Sequence, residues 1–329
     1  MSLLFLNRED VESLLPMAEC IEVVEEALRS LSRGNAVQPL RSATWMPDRH
    51  GLLGVMPGML GLNEGGIAGV KVLTVIPDNF TRGEDSHQGV VVLFDQQSGK
   101  PIALLDAGAV TAIRTAAASA VATRALARQD AGDLAILGTG VQARSHLEAM
   151  KDVRTLRRVR VWSRSFDNAR RLAEEEGARL GLAIEPTDTA RQAVEGADLL
   201  CTVTAATVPV LLGDWISPGA HVNAVGACTP NARELDGTAV ARARLFTDRR
   251  ESLLAEAGDF LLARADGAVD DSHIQGELGD VLEGKIPGRR SDDEVTLFKS
   301  LGIAVEDLAS GRHIYAKALE LGKGTTLAL

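Results

Sequence analysis

The spacing of apolar residues along the first third of the chain changes from helical to strand-like. Apolar side chains recur at helical intervals over residues 10–33, and Gly34 stops the pattern, which predicts one helix. Turn-forming residues then separate alternating or continuously apolar segments, which predict strands at 37–46, 52–57, 67–76, 89–95 and 101–106. A long helix of small residues is predicted over about 107–127. This part of the chain therefore predicts a sheet-rich α+β domain.

From residue 133 the pattern becomes a regular alternation of strands and helices. Strands alternating with helices of this length indicate the α/β class with a doubly wound parallel sheet. A last helix is predicted from about Lys299 to Leu319, and we expect it to pack back on the first domain. The strands of the predicted parallel sheet are 133–138, 158–163, 182–186, 199–205, 221–227 and 244–248.

Composition and charge exclude several classes of protein. Of the 329 residues, 45% are hydrophobic and 24% charged, which is enough apolar surface for a packed core. The net charge of −10 argues against a nucleic-acid partner. No apolar run reaches 18 residues, and charges begin at Arg8, so we expect a cytoplasmic protein without a membrane partner. Three scattered cysteines and six histidines without a ligand-like spacing predict no metal site.

A glycine-rich turn follows the first strand of the predicted parallel sheet. Residues 134–143 read as a buried strand that enters the pattern GxGxxA and continues as a helix. In such a turn Gly138 permits the tight bend, Gly140 lets the backbone approach a pyrophosphate, and Ala143 lets the helix pack closely. The motif predicts a Rossmann-type dinucleotide-binding domain over residues 116–298. Residues 1–115, completed by 299–329, would form the discontinuous α+β domain.

The end of the second parallel strand distinguishes between the two nicotinamide dinucleotides. An NAD-binding protein usually has an acidic residue there, which binds the ribose 2′-hydroxyl. Here Ser163, Arg164 and Ser165 occupy that place, so the sequence favours NADP(H), with NAD(H) still possible. In the alternative interpretation, Ser165 only caps the next helix and Arg164 points to solvent. Asp167 is predicted to lie in the first turn of that helix.

Three cations of the first domain stand among apolar residues. Lys71 alternates with apolar residues on one strand face, Arg41 is predicted to lie on a strand, and Arg114 interrupts the small-residue helix. Taken singly, each could be an edge cation that extends to water. Together they predict a site for a small carboxylate.

Ten segments, in this order along the chain, carry a family resemblance. They are PLRSA (39–43), LGVMPG (53–58), GVKVLTV (69–75), DSHQGVVVLFD (85–95), AIRTAAASAVAT (112–123), LGTGVQARSH (137–146), GDWISPGAHVNAVGA (213–227), RELD (233–236), GELGDVLEGK (276–285) and FKSLGIAVED (298–307). With these segments the chain resembles the ornithine cyclodeaminase/mu-crystallin family over nearly its full length. Its motifs are most similar to the mu-crystallin-type ketimine reductases and the bacterial Δ1-pyrroline-2-carboxylate reductases of that family.

The resemblance implies an oxidoreductase that forms a homodimer through its first domain, which would also bind a small imino or amino acid. It implies that Arg41, Lys71 and Arg114 bind the substrate carboxylate, with Lys71 and Arg114 as the catalytic residues. Besides Gly138, Gly140 and residues 163–165, the resemblance places these residues at the cofactor: Ser86, Arg114, Val141, Gln142, Thr204, Val225, Gly226, Ala227, Ser300 and Leu301.

One departure from the family pattern bears on the reaction. Ornithine cyclodeaminases have an aspartate and, four residues later, a lysine where this chain has Cys228 and Ala232. A cysteine cannot anchor an alkylammonium group, and Cys228 is interpreted as a packing residue. We therefore expect reduction of Δ1-pyrroline-2-carboxylate or Δ1-piperideine-2-carboxylate to L-proline or L-pipecolate. The alternatives are an ornithine cyclodeaminase, an alanine-dehydrogenase-like enzyme, and a non-catalytic, NADPH-dependent ligand-binding protein.

Overall fold

A computed structural model describes residues 2–62 and 65–328. The chain divides into two compact units. Unit 1 contains residues 1–114 and 302–329, and unit 2 contains residues 115–301.

The first part of the chain supplies most of unit 1. Its strands and helices follow one another in the order β1 (Ser2–Leu6), α1 (Arg8–Leu14), α2 (Met17–Ser32), β2 (Ala36–Val37), β3 (Ser42–Trp45), β4 (Leu52–Leu60), β5 (Ile67–Val75), β6 (His87–Asp95), β7 (Pro101–Asp106) and α3 (Ala107–Leu126).

The remaining elements build unit 2 and return to unit 1. They are β8 (Asp133–Leu137), α4 (Val141–Val153), β9 (Arg158–Trp162), α5 (Phe166–Leu180), β10 (Ile184–Thr187), α6 (Ala190–Val194), β11 (Leu199–Thr202), β12 (His221–Ala224), α7 (Gly237–Arg242), β13 (Ala243–Thr247), α8 (Arg250–Glu256), α9 (Gly258–Ala265), β14 (Ile274–Glu277), α10 (Leu278–Leu282), β15 (Val295–Lys299), α11 (Ala304–Leu321) and β16 (Thr325–Ala328).

Two predicted elements of unit 1 are interrupted at prolines. The helix predicted over 10–33 is two helices, because Pro16 has no N–H to donate and stands at the N-cap of α2. The strand predicted over 37–46 is broken between β2 and β3, where Pro39 lies. As a consequence Arg41 lies just before β3. The prediction that Arg41 lies on a strand is therefore wrong. The pattern also gave no sign of β1.

The sheet of unit 1 has the order β16-β1-β7-β6-β5-β4-β2, with β3 also paired to β4. Strands β4 to β7 are antiparallel neighbours, and β1 runs parallel to β7. Helix α11 packs on β4, β5 and β6 and against α2. The returning C-terminal helix therefore covers the inner face of this sheet.

The other face of this sheet is apolar as well. Leu53 and Met59 of β4 are 41% and 44% exposed. Their neighbours on the same face include Pro57, Val70 and Val92, which the strand register places side by side. An antiparallel sheet usually turns polar side chains toward water on its exposed face. We call this surface, formed by Leu53, Pro57, Met59, Val70, Val92 and Phe94, the outer face of unit 1.

Unit 2 is a doubly wound sheet with the strand order β10-β9-β8-β11-β12-β15-β13-β14. All of these neighbours pair in parallel. After β10 the chain crosses to the other side of β8, so the strand order reverses between β8 and β11. In doubly wound folds a ligand binds at such a reversal, outside the carboxyl ends of the strands.

The last predicted helix begins later than expected. Lys299 ends β15, a buried strand between β12 and β13, and α11 begins at Ala304. Strand β15 has only five residues and includes Thr296 and Lys299 among its apolar ones, so its periodicity did not identify it as a strand. Among the helices that the structure describes, none has the length and apolarity needed to cross a lipid bilayer.

Candidate functional site

The glycine turn of unit 2 has the geometry expected of a dinucleotide-binding turn. Gly138 has φ +128°, and a Cβ at this position would lie 2.7 Å from the carbonyl oxygen of Val203, so a larger residue would be strained. A Cβ at Gly140 would meet no atom within 4 Å. Gly140 is also the N-cap of α4 and supplies no side-chain acceptor to its first turn. The helix N-terminus is therefore suited to an anionic group of a ligand.

The residues after β9 cap the next helix and expose an arginine, as in the alternative interpretation of the sequence. Ser165 is the N-cap of α5 and accepts a hydrogen bond from the amide of Asn168 at 3.4 Å. The Oγ of Ser163 accepts hydrogen bonds from the hydroxyl of Thr139 and the amide of Ser165. Arg164 is exposed. The capping role of Ser165 is therefore present, and it leaves the Arg164 guanidinium at the surface.

Asp167 lies in the first turn of α5, as expected, and pairs with Arg170.

The predicted cofactor residues after β11 and β12 meet at a buried carboxylate, that of Glu234. Its oxygens accept hydrogen bonds from the amide and hydroxyl of Thr204 and from the amide of Gly226. Val225 and Ala227 are buried, so their backbone is what they can offer a ligand. Glu234 belongs to the RELD segment of the family resemblance, but its role was not predicted from the sequence.

The segment after β15 brings two further predicted residues to the same edge of the sheet. Ser300 is 1% exposed, and its Oγ has no hydrogen-bonding partner among the described residues. The amide of Leu301 donates to Oδ2 of Asp248 at 2.7 Å. Cys228 also lies here, where its thiol donates to the carbonyl of Val225 at 3.2 Å. The buried Lys299 ammonium interacts electrostatically with Cys228, a basic neighbour that the sequence did not reveal.

In unit 1 the two buried cations share the buried carboxylate of Asp307, and one of them also pairs with Glu306. Lys71 is 1% exposed, and its Nζ donates to Oδ1 of Asp307 at 2.8 Å. Arg114 is 4% exposed and donates from Nε to the same Asp307 oxygen at 2.8 Å. Its Nη1 donates to Oε2 of Glu306 at 3.0 Å. The hydroxyl of Thr111 accepts a further bond from Lys71 at 3.3 Å. Neither cation extends to water, so the edge-cation alternative is wrong for both.

Burial and charge set the protonation states in this cluster. Burial and the Arg114 guanidinium lower the pKa of Lys71 to about 8, against the opposing effect of Asp307. Burial disfavours the Asp307 carboxylate, but Arg114 and Lys71 outweigh it and hold its pKa below the usual value. Near neutral pH, Asp307 is therefore ionised and Lys71 carries a proton that it can release with a small change of environment.

Arg41, Ser86 and His87 lie near this cluster. The charge of Arg41 contributes to the lowered pKa of both Lys71 and His87, which places the guanidinium close to them. Although His87 is exposed, desolvation by the surrounding protein and the charges of Lys71, Arg114 and Arg41 lower its pKa below the usual value. The hydroxyl of Ser86 and Nδ1 of His87 are hydrogen-bonded at 2.9 Å. His87 is thus neutral near pH 7.

The sequence predicted that the three cations form one site, but it did not predict which residues surround them. Glu306, Asp307 and His87 all fall inside segments that carry the family resemblance, yet none received a role. Adjacent acids in the first turn of a helix are common, because they stabilise helix N-termini, and so they gave no distinguishing signal.

Comparison with known proteins assigns the chain to a family. The sequence model of the ornithine cyclodeaminase/mu-crystallin family matches residues 1–322. The chain belongs to this family, and the prediction made from its motifs is confirmed. It is 38% identical to the ketimine reductase mu-crystallin of Mus musculus over 315 residues, which cover 94% of this chain and 96% of that protein.

Two solved structures share its fold. Thermococcus litoralis Δ1-pyrroline-2-carboxylate reductase, in complex with NADH and L-proline, matches with a TM-score of 0.95 at 40% identity, covering 98% of this chain and 99% of that one. An archaeal alanine dehydrogenase dimer with bound NAD matches with a TM-score of 0.93 at 30% identity, over 100% of both chains. These matches confirm the predicted fold class.

Proposed function

We propose that the protein is an NAD(P)H-dependent ketimine reductase. Its substrate would be a cyclic ketimine carboxylate, Δ1-pyrroline-2-carboxylate or Δ1-piperideine-2-carboxylate, and its product L-proline or L-pipecolate. The observation that carries the proposal is the Lys71 ammonium, which is buried, held by Asp307 and near its pKa at physiological pH. The reductases of mouse and Thermococcus litoralis named above support the substrate class.

The described residues of unit 2 fit a nicotinamide dinucleotide. The open position at Gly140, the uncapped N-terminus of α4 and the unpartnered Oγ of Ser300 are features that a bound dinucleotide would use. When bound, its reduced form supplies the hydride. The residues of unit 2 proposed to hold it are Gly138, Gly140, Val141, Gln142, Thr204, Val225, Gly226, Ala227, Ser300 and Leu301. The contributions of Ser86 and Arg114 of unit 1 remain predictions from the family resemblance.

The cations of unit 1 would bind and protonate the substrate. Arg114 is fixed in orientation by its two carboxylate partners, so it can receive the substrate carboxylate together with Arg41 without losing its position. Lys71 would donate a proton to the imine nitrogen as carbon C2 accepts hydride, and would regain that proton from water. The neutral His87 adds no competing charge near this group.

The absence of the aspartate found in ornithine cyclodeaminases supports reduction over cyclodeamination. At the place of that aspartate the Cys228 thiol donates to the Val225 carbonyl, and a thiol cannot bind an alkylammonium group as a carboxylate does.

The residues after β9 support a preference for NADP(H). No acid occupies the end of β9, and the Arg164 guanidinium and the hydroxyls of Ser163 and Ser165 are donors suited to a 2′-phosphate. NAD(H) would bind more weakly because it lacks the phosphate that these donors recognise.

The outer face of unit 1 supports a homodimer. Apolar side chains on three neighbouring strands are too extensive for a sheet face that meets only water. A second copy of the chain is the proposed occupant, in keeping with the dimeric archaeal alanine dehydrogenase of the same fold. The two outer faces would pack together around a local two-fold axis.

The first prediction concerns the substrate. With Δ1-pyrroline-2-carboxylate the protein should oxidise NADPH, measured at 340 nm, and should release no ammonia from L-ornithine with NAD⁺. Lys71→Met should abolish turnover and leave NADPH affinity within about twofold, because Lys71 lies in unit 1 and is not among the predicted cofactor residues. Ammonia and proline from ornithine would contradict the proposal, and pyruvate reduction that requires ammonia would identify an alanine dehydrogenase instead.

The second prediction concerns pH. If Lys71 donates the proton, kcat/KM should fall as the pH rises through about 8. Asp307 raises the pKa of Lys71, so Asp307→Asn should lower that pKa and move the alkaline limb to lower pH. Glu19→Gln removes an acid of the same unit that pairs with Lys317, and should leave the limb in place. An unmoved limb in Asp307→Asn would mean that another group, such as the substrate imine, titrates there.

The third prediction concerns the cofactor. Arg164→Ala should raise the KM for NADPH roughly tenfold and leave the KM for NADH unchanged, because only NADPH carries the 2′-phosphate. Arg171→Ala, which removes an exposed arginine of the following helix α5, serves as the control and should change neither KM. Equal KM values for NADPH in the wild type and Arg164→Ala would show that Arg164 does not read the phosphate.

The fourth prediction concerns assembly. Val70→Glu places a charge in the middle of the outer face and should convert a dimer to a monomer in sedimentation velocity. Gln97→Glu adds the same charge on an exposed turn of the same unit and should remain dimeric. A Val70→Glu protein that stays dimeric would place the interface elsewhere, and a monomeric wild type would refute the homodimer.

A further inference from the structure

We propose that Glu234 is a positioning residue that fixes the loops binding the nicotinamide half of the dinucleotide. Its side chain is completely buried and contacts the loops that carry the predicted cofactor residues Thr204 and Gly226. The inference rests on the cofactor part of the proposed function and is independent of the imine that is reduced.

The Glu234 carboxylate joins two loops through four short hydrogen bonds. Oε1 accepts from the amide of Thr204 at 2.6 Å and from its hydroxyl at 2.7 Å. Oε2 accepts from the hydroxyl of Thr202 at 2.8 Å and from the amide of Gly226 at 2.7 Å. Thr202 ends β11, Thr204 follows it, and Gly226 follows β12. One side chain therefore sets the separation of the segments that leave two adjacent parallel strands.

The fit around this carboxylate is tight. A Cβ at Gly226 would lie 2.0 Å from the carbonyl oxygen of Thr204 and 2.7 Å from Oε1 of Glu234. A residue larger than glycine at position 226 would keep the two loops from coming so close to the carboxylate. The glycine therefore permits the close approach in which all four donors reach the carboxylate.

Two further buried residues hold Glu234 itself in place. Oδ1 of Asp259 accepts hydrogen bonds from the amides of Glu234 and Leu235, at 2.7 and 3.0 Å. Oδ2 of Asp259 lies 3.0 Å from Nζ of Lys299, which also donates to the carbonyl of Ala224 at 3.2 Å. Since Ala224 ends β12 and Lys299 ends β15, this chain of contacts extends the support to a third neighbouring strand.

The hydrogen-bond pattern fits an ionised Glu234. Each of its oxygens accepts from one backbone amide, and a carboxylate can also accept from both threonine hydroxyls. Burial and the Asp259 carboxylate raise the pKa of Glu234, while Lys299 and the Thr204 hydrogen bonds act in the opposite direction. Lys299, whose pKa is raised by Asp259 despite burial, supplies the compensating positive charge.

The position of these loops indicates which half of the dinucleotide they bind. The pyrophosphate turn follows β8, and the ribose of the adenine half belongs at the end of β9. Strands β11 and β12 lie on the other side of β8 from β9. Their loops therefore face the nicotinamide half, where small errors of position would affect binding of the ring and not of the adenosine.

Glu234→Gln tests the positioning role. In neither orientation can the side-chain amide of glutamine accept from both backbone N–H groups that donate to Glu234. Each carboxylate oxygen accepts from one backbone N–H, that of Thr204 or that of Gly226, and a backbone N–H cannot reverse its direction. The amide NH₂ must therefore oppose one of them. We expect NADPH and NADH to bind at least about tenfold more weakly, measured by nucleotide fluorescence. The fragments without nicotinamide, 2′-phospho-ADP-ribose and ADP-ribose, should bind as to the wild type, measured by calorimetry.

Asp198→Asn is the matched control. The Asp198 carboxylate also accepts hydrogen bonds from two backbone amides, those of Gly132 and Asp133, but it does so at the amino-terminal edge of the same sheet. Its loss should lower the melting temperature without changing either the dinucleotide or the fragment affinity.

The outcomes separate this inference from the proposed function. Equal dinucleotide affinity in a folded Glu234→Gln protein would overturn the positioning role, as would an equal loss of the ADP-ribose fragments. If Glu234→Gln does not fold, Thr202→Val removes one of the four donors, and the same selective loss, smaller in size, is required. A wild-type chain that binds neither NADPH nor NADH would instead refute the cofactor part of the proposed function.

Discussion

The fold of unit 1 depends on how it compensates two buried cations. An ammonium and a guanidinium in an apolar interior are strongly unfavourable unless each has an oppositely charged partner with good geometry. Asp307 and Glu306 provide these partners, and both lie on the first turn of α11, near the end of the chain. The return of α11 to the sheet is therefore a requirement of the charges on β5 and α3, in addition to the apolar contacts it makes. Removal of one partner of such a buried pair typically costs about 3–5 kcal/mol.

In unit 2, buried carboxylates accept hydrogen bonds from loop amides that have no partner in the sheet. Parallel strands end in loops whose backbone amides have no partner in the sheet, and the residues that bind a ligand must come from these loops. A buried carboxylate that accepts from several amides fixes the loops without occupying the space left for the ligand. Glu234 has this role after β11 and β12, and Asp248 has it at the amide of Leu301 after β15. In both units, therefore, buried acids hold the groups that are proposed to meet substrate or cofactor.

The main elements could be predicted because their patterns are local. The strands β5 and β6, the helix α3 and the alternation from β8 to β13 each have a period that burial of one or both faces imposes. The errors occurred where a single residue or a tertiary contact overrides the period. Pro16 divides an otherwise continuous helical pattern, because it has no N–H. The short strand β15 has no periodicity of its own, and its place between β12 and β13 stabilises it as a strand.

The sequence by itself determined the features whose chemistry lies within a few consecutive residues. The turn from Gly138 to Ala143, the donors at 163–165 and the motifs of the family are of this kind, because neighbours in the chain are necessarily neighbours in space. Only the tertiary structure decided which groups pair with one another. Lys71 and Asp307 are 236 residues apart, and Thr204 and Glu234 are 30 apart. No local pattern marks such partners, since the free energy that pairs them arises only when folding removes both from water and brings them together.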